Sequence, residues 1–423
     1  MTSSTSNQSN QSNQSLESER PGHSPAEANR PGRFSKWLRF ALLATSSLTV
    51  MAGATLSPSL PAMKKHFVDV PEVDFWVRLL LTLPALFIAL SAPPAGWVAD
   101  RFGRKRLLLI STILYGISGT AGFFLESITA ILISRAVLGI SVGGVITSAT
   151  ALISDYFHGP ERARFMGFQA AFMGFGGVLF LLAGGGLSEW SWRGPFLVYS
   201  AALILAPIVA SAIFEPHRRQ SYESALPGDP ESLHLPVIGF ILFFAFSGMV
   251  VFYLIPVQLP FFLKQRFQAG GFISGGSIAL ATLVSSICSL NFGRIRHYFS
   301  HLMICVLIAF FMGTGYLIFG SAGSLAQAWC GLAVCGLGFG MLMPNLNLWV
   351  AAVTPEAFRG RVLGALGAAI FLGQFFSPVI TEPLRNGAGL DQLYKGAGLA
   401  LFLGALLILG LVASRRMKRR RAD

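Results

Sequence analysis

The sequence predicts an all-α polytopic membrane protein, with twelve transmembrane helices in two six-helix bundles. Three observations carry that prediction. The 423 residues are 53% hydrophobic and only 12% charged, against about 25% charged in a soluble domain. Twelve apolar runs each approach the length of about 20 residues that crosses a bilayer. The chain also repeats itself at one offset of 197 residues, which carries Ala136 onto Ala333. The 46 glycines and 36 phenylalanines fit such a bundle, because small residues let helices approach and large apolar ones face lipid.

Residues 1–36 are low in complexity, with the run NQSNQSNQS, and read as a disordered cytoplasmic tail. They contain no apolar segment of the kind a cleavable signal needs, so the first span directs insertion. The N-terminal bundle covers 37–214, with spans at about 37–62, 75–99, 107–125, 128–154, 165–187 and 194–214. A polar linker follows at 215–236, holding Arg218, Arg219 and Asp229. The C-terminal bundle covers 237–414, with spans at about 237–262, 270–293, 302–320, 325–350, 360–382 and 394–414. Residues 415–423 form a basic cytoplasmic tail.

The net charge of +13 would suit nucleic acid, but the basic residues sit in short loops between apolar spans. With both termini in the cytoplasm, 23 of the 32 basic residues fall on the inner side. The outer side holds Lys64, Lys65, Arg78, Arg193, Lys264, Arg266, Arg385 and Lys395, and Arg135 lies alone within a span. The opposite orientation would invert that bias. Cys288, Cys305, Cys330 and Cys335 all fall inside apolar runs without metal-ligand spacing, so no metal is expected. No phosphate-binding loop of the form G-x-x-x-x-G-K-[ST] appears, so neither ATP nor any other cofactor is expected.

The repeat is more than a run of glycines. At the same offset, Gly139 and Gly143 meet Gly336 and Gly340, and Arg162 and Arg164 meet Arg359 and Arg361. Six spans per copy give both copies one orientation, so the bundles are related by a pseudo-twofold axis along the membrane normal, with a site between them.

The stretch GWVADRFGRKR joins the second and third runs. Gly96, Asp100, Arg101, Gly103, Arg104 and Lys105 resemble the G-x-x-x-D-R-x-G-R-[KR] loop of the major facilitator superfamily. Arg135, Gly139 and Gly143 are similar to that family's fourth-span R-x-x-x-G-x-x-x-G motif. The fifth span meets its antiporter motif only in part, since Phe180 and Leu181 stand where Gly-Pro belongs. The second copy of the loop is degraded to Gly293, Arg294 and Arg296, with His297 where Asp100 would map. The resemblance implies a secondary transporter of the twelve-span drug and metabolite exporter type, a monomer in a bacterial inner membrane. It also implies that Arg135 serves proton coupling or an anionic substrate group, and that Asp100 meets the end of a helix in the opposite half.

From the residues themselves, Asp100, Arg101, Arg104, Asp155, Glu161 and Arg162 form a candidate inner gate. A carboxylate there would favour the N-terminus of the eleventh span, near Pro355 and Glu356. The cavity candidates are Gln169, Tyr253, Gln258, Asn291, Asn345, Asn347 and Gln374. Polar groups at span depth need inward partners. No acid lies at mid-span. Asp74, Glu126 and Glu382 stand at outer ends, and Glu382 beside Arg385 reads as an interface residue.

The function expected is alternating-access, proton-coupled efflux of a small amphipathic compound. The alternatives are export of a carboxylated metabolite such as a siderophore, uptake of a sugar or organic acid, and a non-transporting membrane sensor. An intramembrane enzyme would show paired catalytic groups at span depth, and the sequence shows none.

Overall fold

The computed structural model describes residues 35–216 and 233–420. The expected N-terminal tail as far as residue 34, most of the linker and the last three residues of the basic tail lie outside the described residues.

Every regular element among the described residues is helical. The first half contains α1 (Lys36–His66), α2 (Val73–Phe102), α3 (Arg104–Ala121), α4 (Ile128–Tyr156), α5 (Gly159–Trp190) and α6 (Gly194–Ala212). The second half contains α7 (Leu235–Phe267), α8 (Gly271–Leu290), α9 (His301–Gly320) and α10 (Leu325–Val353). The remaining stretch, Glu356–Gly410, is far longer than one crossing needs. Gly389 breaks it, with φ 81° and ψ 170°. That gives α11 (356–388) and α12 (390–410), and twelve spans among the described residues.

The helix borders repeat with the sequence. Both ends of α4 recur 197 residues later as the ends of α10, and the starts of α5 and α11 have the same spacing. Two helices are broken, and in corresponding places. α1 passes through a short 3₁₀ turn at Ser57–Ser59, and α7 is interrupted at Tyr253. Pro58 lies within the first break and Pro256 follows the second, and a proline supplies no N–H to the preceding turn.

Charge made some spans longer than their apolar runs. α5 begins at Gly159 rather than near 165, and α11 at Glu356 rather than near 360. Glu161, Arg162 and Arg164 occupy the first turns of α5, where polar side chains reach past the apolar layer.

Helices α2 and α11 pack across the two halves along one seam, and α5 and α8 along the other. Inside each half, glycine sets the spacing. A Cβ on Gly139 of α4 would meet the Pro84 carbonyl of α2 at 2.4 Å. Its repeat mate Gly336 on α10 stands against the Ala281 carbonyl of α8 in the same way, at 2.7 Å. One end of the molecule carries the Gly103 turn and is called here the turn end; the other, with the α1–α2 and α11–α12 connections, is the far end.

Candidate functional site

Between the halves lies a cavity of about 460 Å³. Helices α1, α2, α4 and α5 line it from one side, and α7, α8, α10 and α11 from the other. None of the lining side chains is charged. Phe252 and Phe339 stack face to face in the wall, beside Met173, Met249 and Met343. Three of the residues proposed from sequence meet there: Gln169, Tyr253 and Gln374. The Gln169 amide donates to Ser46 Oγ at 2.8 Å, which keeps its carbonyl oxygen for other partners.

The other four lie elsewhere, each held by a nearer partner. Gln258 accepts from Arg78 Nε at 2.9 Å. Asn291 ends α8 and donates back to the Ile287 carbonyl. Asn345 is buried against α9, with Oδ1 2.9 Å from His301 Nδ1. Asn347 is turned off that face and donates to Met343 O, one turn earlier.

The far end is closed by charge. Arg78 of α2 has no exposed surface. Its guanidinium pairs with Asp74 at 2.9 Å and reaches Glu382 of α11 at 3.5 Å, and it lies 4.3 Å from the centre of the Phe261 ring. Arg385 pairs with Glu382 at 2.5 Å and with Asp74 at 3.5 Å. Lys64 holds the second Asp74 oxygen at 2.7 Å. On the other seam, Glu189 of α5 accepts from the Phe272 N–H of α8 at 2.9 Å, and Gly185 stands so close that a Cβ would meet the Gly271 carbonyl at 2.9 Å. Where the two broken helices touch, Ser57 donates to the Pro256 carbonyl. The repeat relates the two seams. It carries Asp74 and Arg78 onto Gly271 and Gly275, and Gly185 and Ser188 onto Glu382 and Arg385.

The turn end differs. Arg104 pairs with Asp155 and lies 3.6 Å from Asp100. Arg39 pairs with Glu161 at 3.2 Å. Arg101 rests over the Trp97 and Phe102 rings, and Arg162 is exposed. Glu215, at the exit of α6, accepts from the N–H groups of Arg104 and Lys105 at 2.7 and 2.9 Å and so caps α3. Gly103 has φ 100°, and a Cβ there would meet the Glu215 carboxylate at 2.9 Å, so glycine is required twice over. Gly96 of α2 faces Thr147 of α4, 4.0 Å from the place of a Cβ, so the packing there would admit a methyl group.

The proposed inner gate is therefore two separate groups, both inside the first half. Among the described residues, every hydrogen bond and ion pair between the halves lies at the far end or where α1 meets α7. A Cβ on Gly360, Gly364 or Gly367 of α11 would meet nothing within 4 Å. Among the described residues, the halves are therefore tied across the cavity at the far end, and no hydrogen bond or ion pair ties them at the turn end.

Arg135 does not reach it. The guanidinium is fully buried within the first half, donating to the carbonyls of Ser118 and Gly119 and packed against Phe196 and Tyr199. Gly139 and Gly143 face α2, where Gly143 abuts Ser91.

Sequence reasoning counted Lys64, Arg78 and Arg385 only as end charges. The signal for more was present, in Asp74 and Arg78 one turn apart and Glu382 and Arg385 three residues apart. Glu189 and Glu215 gave no signal, since each acts on backbone N–H groups that no side-chain pattern marks.

Known proteins resemble this chain along most of its length. It is 27% identical over 389 residues to the class C tetracycline resistance protein of Escherichia coli, covering 87% of this chain and 93% of that one. It is 24% identical over 375 residues to the bacillibactin exporter of Bacillus subtilis, covering 82% and 90%. Against the quinolone resistance protein NorA of Staphylococcus aureus the identity is 23% over 361 residues, covering 83% and 91%. In fold, the D-xylose-proton symporter superposes with a TM-score of 0.74 at 17% identity, covering 88% of this chain and 97% of that one. An inward-open structure of the E. coli xylose transporter XylE gives 0.73 at 16% identity, covering 88% and 95%. Residues 42–378 match the family profile described as Major Facilitator Superfamily. Two bundles about one cavity, the charged turn and this match along the chain place it as an integral membrane transporter belonging to the Major Facilitator Superfamily.

Proposed function

We propose that the protein exports a small amphipathic, uncharged compound in exchange for protons, by alternating access, as a monomer in a bacterial inner membrane with both termini in the cytoplasm. The observation that carries the substrate class is the uncharged cavity wall, rich in aromatic and thioether groups, with two amides and with the hydroxyls of Ser46, Thr49, Thr55 and Thr282 donated to carbonyls of their own helices. A sugar would ask for more polar groups than this wall offers, and a carboxylate would ask for a cation. The relatives that handle tetracycline, quinolones and bacillibactin support export. The lysine and arginine bias supports a cytoplasmic turn end.

The cycle then needs a second latch. When the far end opens, the turn end closes, and Asp100, now 63% exposed in its side chain, meets the N-terminus of α11 near Glu356.

The test is the protein in vesicles with an imposed pH gradient, offered tetracycline, a quinolone and bacillibactin. Accumulation that collapses when a protonophore removes the gradient is expected for at least one neutral or weakly charged compound. Transport of the whole panel without regard to the gradient would overturn the coupling. Failure of every compound to move would overturn the export reading.

A further inference from the structure

We propose that Glu382 is the proton-binding carboxylate of this transporter: it takes up a proton while the far end is open and loses it as Arg78 and Arg385 close around it. The inference rests on the proton-coupled reading above and gives it a location.

Glu382 is 8% exposed on α11. One carboxylate oxygen is shared between Arg78 and Arg385, and the other, Oε2, is buried without a hydrogen-bond partner. With that oxygen unpartnered at such depth, the charged form is held by the two arginines on Oε1, and removing one of them favours the neutral, protonated carboxyl.

What separates Glu382 from Asp74 is how many cations each keeps when the halves part. Asp74 loses Arg385, at 3.5 Å, but keeps Lys64 and Arg78 of its own half. Glu382 owes Arg78 to the opposite half and keeps only Arg385 when the seam opens. Of the two acids, Glu382 is the one left with a single cation when the seam opens. A binding site whose occupancy follows the conformation is what coupling requires.

The other groups around it are known. Lys64, Asp74 and Arg78 face it from the first half, with Arg385 on its own helix. From α7 come the uncharged Gln258 and Phe261, and from α12 comes Tyr394, whose hydroxyl donates to Leu254 O. With Glu382 ionised, three cations stand against two anions. With Glu382 protonated, Asp74 alone answers Lys64, Arg78 and Arg385, and the seam loses its cross-half ion pair at Arg78. Closing the seam on a protonated Glu382 expels the proton. The buried hydroxyls of Thr381 and Ser377 lie on α11 between Glu382 and the cavity-lining Gln374, on the side that is then open.

The test places spin labels at Val68→Cys and Ala388→Cys, across the α2–α11 seam, in the full chain with Cys330→Ser. Acidification should lengthen the 68–388 distance in this parent. Glu382→Gln should sit at the long distance at every pH, with at least a fivefold smaller response, while the control Glu126→Gln titrates like the parent. In vesicles, Glu382→Gln should lose at least tenfold of gradient-driven accumulation, while Glu126→Gln keeps it within about twofold. Glu382→Asp, which keeps a carboxylate, should retain a pH response and so excludes mere misfolding. Unaltered titration in Glu382→Gln would overturn the proposal. A parent that moves no probe would sink the export reading alone, because the distance titration needs no substrate.

Discussion

Arg78 and Arg135 have no exposed surface, yet their neighbours differ in kind. Arg78 has acids from both halves within 3.5 Å. Arg135 has carbonyls and rings from its own half. The first can respond to a change of state, whereas the second braces α3, α4 and α6 in any state. Replacing Arg135 with Lys should therefore lower stability by about 2 kcal/mol, because an ammonium cannot reproduce the planar stacking or the fork of donors. Thermal unfolding in detergent would show it, with affinity for a transported compound unchanged; a loss of affinity at full stability would return Arg135 to the binding site. Glu215→Ala should cost about 1 kcal/mol through the lost cap on α3, read in the same assay. In the sequence Arg135 drew notice because it stands alone at mid-span. Arg78 did not, because a basic residue near a span end is ordinary, and only its partner on a helix some 300 residues away makes it unusual.

At the scale of helices, α2 with α4 and α8 with α10 are close-packed pairs that the repeat relates. Gly139→Ala would drive a methyl group toward the Pro84 carbonyl at 2.4 Å, and Gly336→Ala toward the Ala281 carbonyl at 2.7 Å. Each should cost about 1–3 kcal/mol by forcing helices apart, and unfolding curves should show similar losses for the two. Clearly unequal losses would mean that the halves do not share this packing. The spans were legible in the sequence because hydrocarbon admits little but apolar residues across about 20 positions. Their ends were less so: charged first turns of α5 and α11 remain helical beyond the apolar layer, where no hydropathy signal follows them. The breaks in α1 and α7 were not read, since proline within a span is compatible with either a kink or a gap.

For the whole molecule, the duplication and the two bundles could be read from one constant offset, while the state could not. The same residues build a molecule open at either end, and only contacts across the halves distinguish the two. Asp100→Asn should leave binding of a transported compound near wild type and slow turnover several-fold, since the partner proposed for it on α11 would be met only with the turn end shut; vesicle flux and equilibrium binding would separate the two effects, and equal flux would remove the latch. Gly185→Leu should prevent the far end from closing, because even a Cβ there meets Gly271 O at 2.9 Å. Labelling of cavity residues from the far side should then rise while transport falls. Of the cavity, the sequence yielded its amides but not its shape. Side-chain direction depends on rotation about each helix, and Asn345 stands only two positions from the lining Met343 yet turns to His301 on α9.

The seams that the duplication made alike have diverged, one into arginines and carboxylates and the other into glycines. On the proposal for Glu382, protonation would undo the first, while in the second it reaches Glu189 alone and leaves the glycine packing untouched. The far face then behaves as a door rather than a clamshell, hung on α5 and α8 and swinging free beside α2 and α11. A departing molecule would leave off-centre, past the hinge's opposite jamb, and bulky residues placed there would obstruct release more than the same residues at the hinge.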